Sequence, residues 1–392
     1  MLSEHGRFRV LILIVMISGF SQGMLLPLIA IILEHSGISS SINGLHATGL
    51  YIGVLIASPF MEKPMRAFGY KPMIVVGGAL VFLSLGLFPF WESLWFWFIL
   101  RVLIGIGDHM LHFGTQTWIT ATSAVDRRGR NIALYGLSFG FGFAVGPLMT
   151  RLLEIDQRLP FFISALLSLL VWSLVFWVRN EMPEKEEIGS VRNSGSIGRF
   201  AQTLKYAWVA FLPPLGYGFL EATLNGIFPV YGMRIGHDVD TLSIIIPCFS
   251  FGSLLSQLPL GIMSDKYGRK KILSSVITAG VFTFLLAAIF EHSVVWLFIT
   301  FTLAGIFVGS LFSLGISYMT DLLPKSLLPA GNIMCGIAFS LGSIVGPYLG
   351  GVFIEYFPDV SFFYVITFML FLVLIALVSN KEHRPMANLE PL

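Results

Sequence analysis

The stretch Thr241–Phe290 reads TLSIIIPCFS FGSLLSQLPL GIMSDKYGRK KILSSVITAG VFTFLLAAIF. Two apolar runs, near 241–263 and 271–290, flank one short charged turn that carries Gly261, Asp265, Gly268, Arg269, Lys270 and Lys271. About 20 apolar residues cross a bilayer as a helix, so each run is long enough to span. The glycine permits a tight bend, and the cations hold that bend on the inner side of the membrane. The same alternation fills the chain. Spans are predicted near 8–33, 43–61, 72–90, 94–122, 131–153, 160–178, 206–235, 241–263, 271–290, 294–323, 329–355 and 360–379. The expected fold is an all-α membrane protein of about twelve transmembrane helices.

Composition agrees. Of 392 residues, 55% are hydrophobic and only 12% charged, and the mean hydropathy is +0.82. A soluble domain carries about 25% charged residues, so most helix faces here meet lipid or other helices. The net charge of +2 comes from basic residues scattered in short loops, which gives no reason to expect nucleic acid. Cys248 and Cys335 each sit in an apolar run, as buried small hydrophobes would. They exclude a disulfide framework, and no metal is expected. The first apolar run, Phe8 to Leu33, exceeds a signal-peptide core and reads as a retained helix. The chain has no G-x-x-x-x-G-K-[ST] loop, so no nucleotide and no other cofactor is implied. No H-E-x-x-H pattern occurs, and the chain does not read as an enzyme.

Basic residues set the orientation. With both termini inside, the inner segments hold Arg7, Arg9, Lys63, Arg66, Lys71, Arg127, Arg128 and Arg130, then five in the polar stretch 179–205. Lys266, Arg269, Lys270, Lys271, Lys325, Lys381 and Arg384 complete the set, against Arg151, Arg158 and Arg234 outside. That asymmetry is a positive-inside signal, and Trp91, Trp95 and Trp97 mark an outer interface. A multi-pass protein of the cell membrane with both termini cytoplasmic follows. The organisation expected is an N-terminal bundle over 1–178, a cytoplasmic linker over 179–205, a C-terminal bundle over 206–380 and a tail over 381–392.

The two halves repeat. Gly105 and Gly305, Gly136 and Gly336, Gly142 and Gly342, Gly146 and Gly346, and Pro147 and Pro347 are each 200 positions apart. Pro27 and Pro229 match near the ends of spans one and seven, and Gly69 and Gly268 in the turns after spans two and eight. Two parallel six-helix halves are a transporter plan, with the substrate site between them near mid-membrane.

The turn at Gly261, Asp265, Lys266, Gly268, Arg269 and Lys270 resembles the loop signature of the major facilitator superfamily, G-x-x-x-D-[RK]-x-G-[RK]-[RK]. Span count, linker and repeat extend the resemblance over the whole chain. In the first half the loop keeps Gly69 and Lys71 but has Arg66 where the acid would stand. The resemblance implies a conformational gate at Gly261, Asp265, Gly268 and Arg269, with Asp265 near the start of span five, at Gly129 to Asn131, when the cytoplasmic side is closed. Arg101 and Gly105 resemble the family's R-x-x-q-G motif, with Ile104 at the polar position. Gly142, Gly146 and Pro147 in span five, repeated as Gly342, Gly346 and Pro347 in span eleven, resemble a motif of antiporters and drug exporters. The span-five copy has Thr150 and Arg151 where span eleven has Gly350 and Gly351. These small residues also serve simply to pack helices.

A charge at the bilayer centre costs roughly 2.5–3.5 kcal/mol on insertion scales. Span four carries the densest set. At 100° per residue, Arg101, Gly105, Asp108, His112 and Thr115 share one stripe. Asp108 and His112 are one turn apart and able to share a proton. The alternative is a structural Arg–Asp–His network tying helices together. His109 lies off the stripe and finds no third ligand for a metal. In span seven, Tyr217, Glu221 and Asn225 follow one i, i+4, i+8 track. A carboxyl taken from water holds its proton more readily, as a carrier must. Glu221, with no basic residue within two turns, is expected to bind the proton. Asp108, near His112 and Arg101, is expected to stay ionised. Gln22 and Gln257 are further cavity candidates beside Arg101, Tyr217 and Asn225, and His46 is read as an interfacial residue without a role.

The function expected is proton-coupled efflux of small amphipathic compounds by a monomeric secondary transporter. Its partners are protons, a small-molecule substrate and the lipid bilayer. A metabolite importer or facilitator is the alternative of the same class, and a non-transporting membrane receptor or scaffold is the alternative of another. The last would tolerate loss of the buried charges.

Overall fold

A computed structural model describes residues 4–124, 127–183, 196–324 and 327–380. Every regular element among the described residues is a helix. Nine are long and apolar enough to span: Glu4–His35, Tyr70–Phe90, Leu94–Thr122, Arg130–Glu154, Leu159–Trp177, Val239–Tyr267, Arg269–Ile289, Val294–Leu322 and Leu328–Tyr356. A tenth, Ser40–Phe60, bends by 58° into Glu62–Phe68. Another is broken into Leu212–Gly226 and Phe228–Arg234, and the last, Phe363–Ser379, has 17 residues. In chain order these twelve are spans one to twelve, with Ser40–Phe60 as span two and Leu212–Arg234 as span seven.

Two expectations on span edges need correction. Residues 196–205 belong to the expected linker, but Ser196–Ala207 is a helix. It buries Thr203 and Ala207 on one face and exposes Gln202, Leu204, Lys205 and Tyr206; its polar face made it read as loop. Span seven therefore begins at Leu212 rather than near 206. Pro213 and Pro214 occupy its first turn, where a missing N–H costs nothing. Pro229 explains the break: Ile227 leaves helical geometry at φ −134° and the chain restarts at Phe228. Residues 184–195 and 381–392, within the expected linker and tail, lie outside the described residues, as does Lys325.

Contacts divide the chain into two compact units, Met1–Lys185 with Asp238–Pro247, and Glu186–His237 with Cys248–Leu392. The first six spans lie in one, and the start of span eight groups with them. Each unit repeats the same close approaches. A Cβ on Gly142 of span five would lie 1.9 Å from the Met16 carbonyl oxygen of span one, and one on Gly342 of span eleven 2.0 Å from that of Leu215 in span seven. Gly146 and Gly346 continue these seams against Phe20 and Phe219. Gly105 meets Leu50 and Gly305 meets Phe249 in the same manner, at 1.9 and 2.0 Å. Backbones touch where a side chain would hold them apart. Gly136 and Gly336 differ: nothing lies within 4 Å of the Cβ either would carry.

The turns after spans two and eight match as well. Gly69 and Gly268 sit at φ +91° and +95°, where an L side chain is strained. The lysine that follows holds the far end of its unit. Lys71 Nζ donates to the carbonyls of Phe176 and Val178 at 3.1 and 2.8 Å, and Lys270 Nζ to that of Asn380 at 2.6 Å.

Candidate functional site

Span four supplies the first cluster. Asp108 is 1% exposed and accepts the Ser18 hydroxyl of span one at 2.7 Å. The same Ser18 Oγ lies 3.0 Å from His112 Nε2. On the other side of the ring, His112 Nδ1 meets the Tyr135 hydroxyl of span five at 2.5 Å. Gln22 stands at the edge, its amide 3.5 Å from Ser18. The second oxygen of Asp108 is buried with no hydrogen-bond partner. The arrangement follows from packing: glycines at 19, 23 and 142 let spans one and five close on each other, which leaves room between them and span four for short polar groups.

Arg101 shares the stripe in sequence but not the cluster. Its guanidinium, 0% exposed, donates to His46 Nδ1 at 3.2 Å and to the Leu25 and Leu26 carbonyls at 3.2 and 3.4 Å. His46 is thus no idle interfacial residue: it is buried, with its Nε2 on the Leu94 carbonyl at 3.1 Å. An imidazole that accepts at Nδ1 and donates at Nε2 is the neutral tautomer these partners require. The picture of Arg101 as counter-charge to Asp108 therefore falls. Two turns along a helix is about 11 Å, and the guanidinium is drawn to His46 of span two and to the Leu25 and Leu26 carbonyls of span one instead. His109 turns away to the Ser58 hydroxyl at 3.1 Å. No group of three or more metal-ligating side chains occurs among the described residues.

Span seven holds the second cluster. Glu221 is half-buried, and the Tyr217 hydroxyl one turn away hydrogen-bonds its carboxyl. Asn225, one turn further, gives its amide N–H to the Glu221 backbone carbonyl at 2.8 Å and keeps a buried amide oxygen without a partner. Tyr217 packs with Phe312 and Phe339 at ring distances of 6.4 and 6.1 Å. Three aromatic faces beside one carboxyl make an apolar platform with a single acid, a setting for cationic or amphipathic groups. Gln257 is exposed on span eight and joins neither cluster.

The turn motif of the second unit is a charge relay. Arg269 pairs with Asp265 at 2.9 Å and with Asp321 at 2.8 Å, and Gly261 has open space around it. The first unit builds its equivalent differently. Arg66 pairs with Glu62 at 2.8 Å, and the acid comes from beyond span six. Glu181 accepts Arg7 and the Trp118 indole N–H at 2.8 Å, while Tyr70 stacks on Trp118. Sequence reading missed Glu181, because its partners lie 63 and 174 positions away. Glu181→Ala is expected to lower the melting temperature of the purified protein by an amount worth about 1 kcal/mol, since the carboxylate is 37% exposed and partly screened. Glu181→Gln, which still accepts the indole, is expected to lose less.

A polytopic helical protein with a repeated six-span unit and a carboxyl within the spans of each half has the plan of a secondary transporter. The Major Facilitator Superfamily profile matches residues 11–238 and 214–391, and the chain belongs to that family. It is similar to the uncharacterized MFS-type transporter YfkF of Bacillus subtilis (strain 168), 54% identical over 374 residues, 95% of each chain. It is also similar to multidrug resistance protein 1 of the same organism, 26% identical over 358 residues, 87% of this chain and 88% of that one. Among solved structures, the nucleoside transporter NupG shares the fold at a TM-score of 0.78 with 13% identity, covering 95% of this chain and 99% of the other.

Proposed function

We propose that this transporter exports small amphipathic compounds in exchange for protons, with both termini in the cytoplasm of its cell. The observation that carries the reading is Asp108. It is a carboxyl sealed in the first unit with a hydroxyl and a nearby imidazole for company and, among the described residues, no cation on it. Such a group takes up and releases a proton without breaking an ion pair, the property that coupling requires. Glu221 offers the same in the second unit, bonded to Tyr217 rather than to a base. The expectation that Asp108 stays ionised rested on His112 and Arg101; with Arg101 engaged elsewhere and His112 reached through Ser18, Asp108 stands with Glu221 as a proton site in this reading.

Export of amphipathic compounds is supported by the aromatic platform beside Glu221, by the similarity to multidrug resistance protein 1 and by the span-five glycine–proline motif. Gly261, Asp265, Gly268 and Arg269 form the gate in this reading, and Arg269 is its pivot because it pairs with two acids, Asp265 and Asp321.

Everted membrane vesicles test the reading, with ethidium as an amphipathic cation and an imposed pH gradient. Asp108→Asn is expected to cut gradient-driven uptake by about 100-fold, the scale of losing a positioned proton carrier, while ethidium still protects the purified variant against heat. Full uptake in Asp108→Asn at normal expression contradicts the assignment.

A further inference from the structure

Four side chains from spans one, four and five form one unbroken hydrogen-bonded chain. It runs from Tyr135 through His112 and Ser18 to Asp108, with heavy-atom distances of 2.5, 3.0 and 2.7 Å. The residues at its two ends differ in overall exposure. Tyr135 is half-buried, seven residues inside the Arg128 end of the span-five helix, about two turns in. Asp108 is enclosed at the middle of span four. We infer that these residues are a proton wire that joins the basic end of span five to the Asp108 carboxyl, with Tyr135 as its port and Ser18 as its obligatory bridge. This rests on the reading of Asp108 as a proton site.

The donors and acceptors permit two complete directions and no mixture of them. With Asp108 ionised, the Ser18 O–H points to Asp108 Oδ1, His112 Nε2–H points to Ser18, and the Tyr135 O–H points to His112 Nδ1. A proton that arrives at the Tyr135 oxygen displaces the phenol's own proton to Nδ1. The Nε2 proton then passes to Ser18 Oγ, and the Ser18 proton passes to Asp108. Asp108 ends neutral, and Tyr135, His112 and Ser18 each keep the number of protons they began with. His112 ends as the opposite tautomer, and every bond in the chain is reversed. Release of the proton from Asp108, followed by the hydroxyls turning back and the His112 proton moving from Nδ1 to Nε2, resets the wire. Neither imidazolium nor phenolate needs to persist.

Other titratable groups on the surrounding helices do not short-circuit it. Arg101 is engaged with His46 and the carbonyls of Leu25 and Leu26, and His109 with Ser58. On span one the polar groups facing the cluster are Ser18 and Gln22, neither of which titrates. Ser18 is the critical link, because its Oγ bonds both His112 and Asp108. A serine in an apolar helix is ordinarily a packing residue; here its one oxygen lies within hydrogen-bond distance of two titratable groups on a different span.

The test needs no substrate. The full-length protein in nanodiscs is taken through a rapid pH jump, with infrared absorption of the protonated carboxyl followed in time. Asp108→Asn identifies the Asp108 component by its loss. Ser18→Ala and Tyr135→Phe are expected to keep the amplitude of that component and slow its rise by about tenfold or more, the lower part of the range for losing a proton-transfer group. Ser18→Thr, which keeps the hydroxyl, is expected to restore the rate. A wild-type rate in both Ser18→Ala and Tyr135→Phe overturns the wire and leaves Asp108 as a proton site. Absence of any Asp108-dependent band overturns the site and the wire together. Should Tyr135→Phe fail to fold, the Ser18→Ala and Ser18→Thr pair decides the matter alone.

Discussion

Glu221→Gln is expected to fold, to bind ethidium and to show no transport driven by a pH gradient. The substitution keeps size and polarity and removes only the exchangeable proton. Its neighbours tolerate the amide: Tyr217 still has an oxygen to donate to, and Asn225 bonds the backbone carbonyl rather than the side chain. Loss of the proton therefore leaves the platform of Tyr217, Phe312 and Phe339 in place. Uniform binding persists while the coupled step fails, and a binding assay separates the two. The expected outcome is an unchanged shift in melting temperature on adding ethidium, with vesicle uptake reduced to background. Undiminished gradient-driven uptake in Glu221→Gln removes it from the coupling path.

Gly142→Ala is expected to damage the protein far more than Gly136→Ala, although both lie on one helix six residues apart. A methyl at 142 would sit 1.9 Å from the Met16 carbonyl, a distance that real atoms do not reach, so spans one and five must separate. Overpacking of this kind costs about 1–3 kcal/mol, and more where both neighbours are backbone. The same seam carries Ser18 and Tyr135, so the opening also pulls the polar cluster apart. At 136 nothing lies within 4 Å, and alanine gains helix propensity over glycine. Melting of the two variants in detergent checks this: a marked fall for the first, none for the second. The repeat extends the expectation to Gly342→Ala against Gly336→Ala in the other unit. Equal stability of Gly142→Ala and Gly136→Ala contradicts the packing.

Much of this fold is legible in the sequence because lipid imposes one strong rule. Backbone groups must be satisfied within each span, so apolar length alone reveals the helices. The 200-residue offset was equally visible, though glycine identity did not say which pairs make contacts; Gly136 and Gly336 match in register and touch nothing. The stripe on span four was legible as a face and misread as a unit. Helical periodicity tells which side chains point together, not what the next helix brings to them. Asp108 and His112 do meet, through Ser18, whereas Arg101 is held by His46 from span two. Neither Ser18 nor His46 carries a local signal: one hydroxyl among many in apolar helices, one imidazole near a span end. Glu181 was hidden for the same reason. The helix Ser196–Ala207 was obscured because its polar residues, Gln202 and Lys205 among them, read like the rest of the polar stretch.

In the proposed coupling, substrate movement and proton movement are one process. Proteoliposomes with a pH-sensitive dye inside, challenged with a panel of amphipathic cations, measure it directly. At least one compound is expected to drive proton flux through the wild-type protein, and the same compound is expected to drive none through Glu221→Gln or Asp108→Asn at equal reconstitution. A compound that crosses with the wild-type protein while internal pH stays constant, or that moves protons equally well through both variants, contradicts it.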